Sequence, residues 1–144
     1  MPETLLNETE HAKALRMLET DLVGWITTIG KDGSPRAVPV WFWWEDGRVF
    51  VLTKHDAHKV SHIRRGSPVL FHLNAGGVFG DDVVILHGSA EISDEPTTAW
   101  LAPRRDAYTA KYAAAIDDYG MGLDDIAGVF DTVIVFSPQR VQAW

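Results

Sequence analysis

The sequence predicts a mainly β fold of the α+β class, in which about six strands close into a small barrel with helices packed outside it. Three observations carry that expectation. Short runs rich in β-branched and aromatic residues alternate with Gly, Asp and Pro clusters. Glu45-Asp46-Gly47 joins two such runs in the manner of a tight hairpin. A single alanine-rich stretch, Pro96 to Ile116, has helical character, with Pro103 dividing it.

The elements follow in order. Residues Asn7 to Thr20 place Ala12, Leu15, Met17 and Leu18 among charged side chains, an amphipathic helix with Asn7 or Thr9 as N-cap. Leu22 to Ile29 reads as a strand that reverses at Gly30-Lys31-Asp32-Gly33-Ser34-Pro35. Arg36 to Trp44 is the next strand, and both of its alternating faces are apolar over Val38 to Trp44. One face therefore needs a barrel interior and the other a partner. Pro39 has no N–H for a ladder, so the strand lies at an edge or bulges there. Arg48 to Thr53 completes the hairpin, and Asp56 is expected to open a short helix closed by Gly66. Val69 to Asn74 and Val83 to Ile92 are strands, with Gly88 marking a bulge or a close approach. Asp124 to Val129 forms a short helix, and Thr132 to Phe136 is the last strand.

Composition narrows the function. A chain of 144 residues fits one domain, residues 1–144. The absence of cysteine excludes disulfides, thiolate catalysis and cysteine-ligated zinc or iron–sulfur clusters. A net charge of −7 argues against a general nucleic-acid binder. No window approaches the roughly 18 apolar residues of a membrane span, and the start lacks a secretory layout, so the expectation is a cytoplasmic protein. Within this acidic chain, Lys54, Lys59, Arg64 and Arg65, with His55, His58 and His62 between them, form a basic island.

The end of a strand at Thr53-Lys54, followed by a helix start, brings a hydroxyl, an ammonium and free backbone N–H groups together. That combination suits a phosphate, with Lys59 one turn into the helix adding a charge-assisted bond and His58 contributing when protonated. The same residues also fit a solvated helix with a basic outer face. His58 and His62, four apart, could share a metal, yet no third ligand is evident and no metal site is expected.

The order of elements resembles the pyridoxamine-phosphate-oxidase-like split β-barrels, in particular their deazaflavin-dependent (coenzyme F420) branch. The resemblance spans nearly the whole chain. It is carried by Thr27 to Arg36, by Val38-Pro39-Val40-Trp41-Phe42, by Thr53 to Lys59 with Arg64 to Val69, and by Gly88-Ser89-Ala90. It implies a six-stranded, FMN-binding-like split barrel with peripheral helices. It further implies that Thr53, Lys54, His58 and Lys59 face a cofactor phosphate, that the main chain around Pro39, Val40 and Trp41 lines a flavin-like ring, and that a homodimer places the sites at its interface. His55 and Asp56 stand where Gly or Arg is frequent in that family, and His62 where Asn is frequent; an acid beside a phosphate is unfavourable unless it turns away to cap the helix.

The implied activity is an oxidoreductase in which reduced coenzyme F420 transfers hydride to a small organic acceptor. The alternatives are an FMN-dependent pyridoxamine-phosphate-oxidase-like enzyme and a non-catalytic cofactor- or heme-binding protein on the same barrel, with His72 or His87 as axial ligand. The deazaflavin differs from FMN in its oligoglutamate tail, which a basic groove from Lys54, Arg64, Arg65, Lys31 or Arg36 would accommodate. Tyr108, Tyr112, His72 and His87 are the candidate proton donors. The 96–116 excursion is placed to cover the pocket.

Overall fold

The computed structural model describes residues 5–144, so Met1 to Thr4, part of the predicted domain and of the start read for a secretory layout, lie outside it. Helix α1 (Glu8–Thr20) begins at Asn7, whose side chain accepts the Glu10 N–H at 2.9 Å, and buries Ala14 and Leu18. Of the two expected caps, Asn7 is the one used. Strands β1 (Val23–Ile29) and β2 (Pro35–Trp41) form the first hairpin, and β1 alternates its burial along its length. Strands β3 (Trp43–Glu45) and β4 (Arg48–Thr53) turn through Asp46 and Gly47, with φ of 51° and 73°, as the Asp-Gly pair predicts. Then come α2 (His58–Arg64), β5 (Val69–Leu73), β6 (Val84–Ile92), α3 (Thr97–Leu101), a 3₁₀ turn at Ala102–Arg104, α4 (Arg105–Tyr119), α5 (Leu123–Val129) and β7 (Thr132–Ala143).

All strand pairs are antiparallel, in the order β2-β1-β5-β6-β7-β4-β3. The two edge strands, β2 and β3, are consecutive in the chain, separated by Phe42 alone. A sheet whose opposite edges are joined by one residue must curl until those edges meet. It is a split β-barrel, open between β2 and β4.

Seven strands replace the six expected, because Arg36 to Trp44 is not one strand. The chain bends at Phe42, which is 1% exposed and points into the barrel. The bend is held from outside by α4. The Phe42 N–H donates to the Tyr112 hydroxyl at 2.9 Å, and that hydroxyl lies 2.8 Å from the carbonyl oxygens of both Leu22 and Phe42. The Lys111 ammonium donates to the Phe42 carbonyl at 3.0 Å and lies 4.2 Å from the ring centroid.

The last strand also differs from expectation, since β7 continues past Phe136 to Ala143. Pro138 is tolerated there because the β6–β7 register shifts between His87 and Gly88, leaving Gln139 as the extra residue of a bulge. Both readings of Gly88 hold, as a Cβ at this position would lie 2.1 Å from the Ser137 carbonyl oxygen.

Two cores follow from this curl. The barrel interior holds Leu18, Ile26, Phe42, Val49, Val51, Phe71, Leu86 and Phe136. On the outer face of β4 and β7, Phe50, Val133 and Val135 pack beneath Trp100, Tyr108 and Tyr112 of the helical excursion and Leu123 of α5. Hence the doubly apolar Trp41–Trp44 run: Phe42 and Trp44 face inward, while Trp41 and Trp43 stack on Tyr112 and Tyr108. Where a partner is expected over the second face, the chain's own α4 covers it.

Candidate functional site

The split between β2 and β4 is floored by α2 and roofed by α4 and α5, and it encloses a cavity of about 250 Å³. Strand β2 supplies Pro39, Val40 and Trp41; β4 supplies Leu52 and Thr53; α2 supplies Lys59; α4 supplies Tyr108 and Tyr119; and Ile126 and Phe130 come from α5 and its C-cap. Pro39 lies on an edge strand, as its missing N–H requires. A second hollow of about 590 Å³ continues along β2 past Pro35, Arg36, Ala37 and Val38 to His58, Lys59 and His62. Lys59 lines both.

Five of the seven residues singled out in the sequence thus line the cavity: Pro39, Val40, Trp41, Thr53 and Lys59. Thr53 is 2% exposed, and among the described residues its hydroxyl has no hydrogen-bond partner. Lys59 is half-buried and has no carboxylate partner among the described residues, and burial pushes its pKa below the ordinary lysine value. A cation held out of water without a counter-ion is poised for an anionic ligand. His58 lines the second hollow. Lys54 lines neither, because its exposed ammonium lies 5.7 Å from the centroid of Phe130, at the rim.

Asp56 does not cap α2. Ala57 occupies the N-cap position without a side-chain bond, and Asp56 is exposed in the preceding turn, where the Ala57 N–H already reaches the Lys54 carbonyl at 3.0 Å. His55 is tied down instead, its ring Nδ1 2.8 Å from Asp131. The polar character of position 62 has a packing reason. His62 is 6% exposed with Nδ1 2.8 Å from the Thr28 hydroxyl. Burial, then the charges of Arg65, Arg36 and His58, lower its pKa, so it is neutral at pH 7. The rings of His58 and His62 stack at 6.4 Å, and among the described residues no three His, Asp or Glu side chains gather as a metal site.

Of the proton-donor candidates, Tyr108 alone lines the cavity. Tyr112 is spent on the Phe42 bend, His72 stacks on Trp25 with Nδ1 3.0 Å from the Leu73 carbonyl, and His87 meets Gln142 on the far side of the sheet. Of the basic residues considered for a groove, Arg36 lines the second hollow, while Arg65 bonds Ser61 on the exposed end of α2. Sequence reasoning missed Tyr119, Ile126 and Phe130. All three lie beyond the 96–116 stretch expected to cover the pocket, at the end of α4 and along α5.

A family model described as pyridoxamine 5'-phosphate oxidase matches residues 9–144. The chain belongs to that family. No curated protein matches. Among solved structures, the conserved hypothetical protein Rv2991 from Mycobacterium tuberculosis is similar with a TM-score of 0.69 and 24% identity, over 100% of this chain and 88% of that one. An F420 reductase is similar at 0.63 and 22%, over 99% and 98%. An FAD-binding protein from Mesorhizobium loti is similar at 0.64 and 18%, over 94% and 92%. At these identities the likeness speaks for the fold. Among the described residues no helix is long and apolar enough to cross a membrane.

Proposed function

We propose that this chain is an oxidoreductase that uses the reduced deazaflavin coenzyme F420 to reduce a small organic acceptor. The observation that carries the reading is Lys59, a half-buried, unpaired cation between an aromatic-walled cavity and a second hollow bearing Arg36 and His58. The donor set fits an anionic, ring-bearing cofactor: hydroxyls and an ammonium face Trp41, Tyr119 and Phe130, and no carboxylate lines the cavity.

When bound, the deazaflavin supplies a hydride. Thr53, His58 and Lys59 hold its phosphate, with Lys54 adding charge at the rim, and Arg36 meets the carboxylates of the tail. The main chain of Pro39, Val40 and Trp41 lies against the ring, and α4 and α5 exclude water above it. A second copy of the chain completes the site as a homodimer. Supporting this, β2 is an unpaired edge exposed on both faces from Pro35 to Pro39, with Val38 38% exposed. Separate equilibrium titrations with coenzyme F420 and with FMN test the reading. Tighter binding of the deazaflavin supports it; preference for FMN, or binding of neither, overturns it. Sedimentation at micromolar concentration tests the dimer, and a monomer removes it.

A further inference from the structure

Tyr108 is 2% exposed and lines the cavity, yet its hydroxyl makes no hydrogen bond among the described residues. A sealed polar atom without a partner is an orphan, as Trp100 Nε1 is in this fold. The Tyr108 hydroxyl is not sealed. Its oxygen is not among the sealed, partnerless polar atoms, and the residue lines the cavity.

The ring is locked in place. It stacks on Trp43 at 5.6 Å, packs against Tyr112 at 5.0 Å and meets the edge of Trp100 at 6.2 Å. A side chain held this way presents its hydroxyl at one point without an ordering cost. Burial raises the phenol's pKa, so the proton stays on oxygen throughout the physiological range. The complementary ligand is an acceptor. Its size is bounded too, since a cavity of roughly 150 Å³ takes benzene, and 250 Å³ leaves room for one or two rings between Trp41 and Phe130.

We propose that Tyr108 is the hydrogen-bond donor of a subsite for the carbonyl edge of a planar one- or two-ring group. The subsite shares the cavity on which the proposed function rests. The carbonyl edge therefore belongs either to the carbonyl-bearing end of the bound cofactor's three-ring system, only part of which the cavity takes, or to a ring substrate beside it.

The test uses 1-indanone, a flat bicyclic ketone, with indane as its counterpart lacking the carbonyl, on the cofactor-free protein and on Tyr108→Phe. One neutral hydrogen bond corresponds to about a three- to tenfold difference in affinity. Wild type binds 1-indanone that much more tightly than the variant, and indane binds both equally. The carbonyl stretching band of bound 1-indanone moves to lower wavenumber in wild type alone, a readout that does not depend on comparing stabilities. Equal affinity of both proteins for 1-indanone, an unshifted carbonyl band, or no binding overturns the proposal. Repeating the titration with the cofactor bound separates the sources: displacement assigns the edge to the cofactor, and simultaneous binding assigns it to a substrate. Should the protein bind neither F420 nor FMN while the Tyr108 effect persists, the proposed function fails and the subsite stands.

Discussion

Replacing Tyr112 by Phe removes one oxygen from the clamp that holds the barrel's corner. The ring stays, with its stack on Trp41 at 4.9 Å, so the change isolates the hydroxyl. That hydroxyl accepts the Phe42 N–H at 2.9 Å and donates its single proton to one of the two carbonyls 2.8 Å away. Without it the Phe42 carbonyl keeps the Lys111 ammonium at 3.0 Å, but the Phe42 N–H, on a residue 1% exposed, loses its partner. An orphaned buried donor costs about 1–3 kcal/mol and the lost second bond about 1 more, so the expected destabilisation is roughly 2–4 kcal/mol. For a chain of this size that lowers Tm by roughly 5–15 °C. Urea unfolding should show a lower midpoint at unchanged m-value. Tyr108→Phe is the control, because its hydroxyl bonds nothing in the described protein, and its stability should change by less than about 0.5 kcal/mol. A Tyr112→Phe protein as stable as the control would refute the clamp.

Three further outcomes follow from the same geometry. Gly88→Ala drives a Cβ to 2.1 Å from the Ser137 carbonyl oxygen and 3.0 Å from the Pro138 Cα, both backbone; the β6–β7 bulge has to open, at a cost of about 3 kcal/mol or more. Thermal unfolding within a few degrees of wild type would contradict that. Burial lowers the Lys111 pKa from 10.5 to about 8 against the opposing charges of Asp21 and Glu19. Between these values the unfolded chain binds a proton that the folded chain has released, so Lys111 makes stability rise with pH across that window, by about 1–2 kcal/mol after allowance for solvent screening. Urea midpoints measured from pH 7 to 10.5 should therefore climb more in wild type than in Lys111→Met, and parallel curves would count against it. Val38→Lys, on the exposed β2 edge, should shift the proposed dimer toward monomer in sedimentation, and an unchanged mass would place the interface elsewhere.

The parts of this fold legible in the sequence are those set by local chemistry. Asp46-Gly47 demands a tight turn because positive φ is needed there, Pro103 interrupts a helix wherever it lies, and Asn7 offers its carbonyl oxygen to an N–H three residues on. Pro39 on an edge and the bulge at Gly88 follow equally from what those residues lack. What escaped was decided by partners distant in sequence. Nothing within Arg36 to Trp44 marks Phe42 as a break, since the bend is held by Tyr112, 70 residues later. Pro138 looked like the end of a strand because the Gly88 that accommodates it lies on another strand. Asp56 has the composition of a cap, but α2 starts after Ala57. The site divides the same way: Thr53 and Lys59 were visible from a strand end and a helix start, whereas Tyr119, Ile126 and Phe130 reach the cavity only through tertiary packing.

Lys59 stands at the centre of the account, and the dissociation constant of coenzyme F420 measured for wild type and Lys59→Ala at one ionic strength tests it most directly. Losing a charge-assisted bond in a partly buried setting is worth about 1.5–3 kcal/mol, so affinity should fall roughly 10- to 150-fold. Lys59→Arg should retain part of it. Equal affinity in the wild type and the alanine variant would contradict the assignment of this groove to the cofactor.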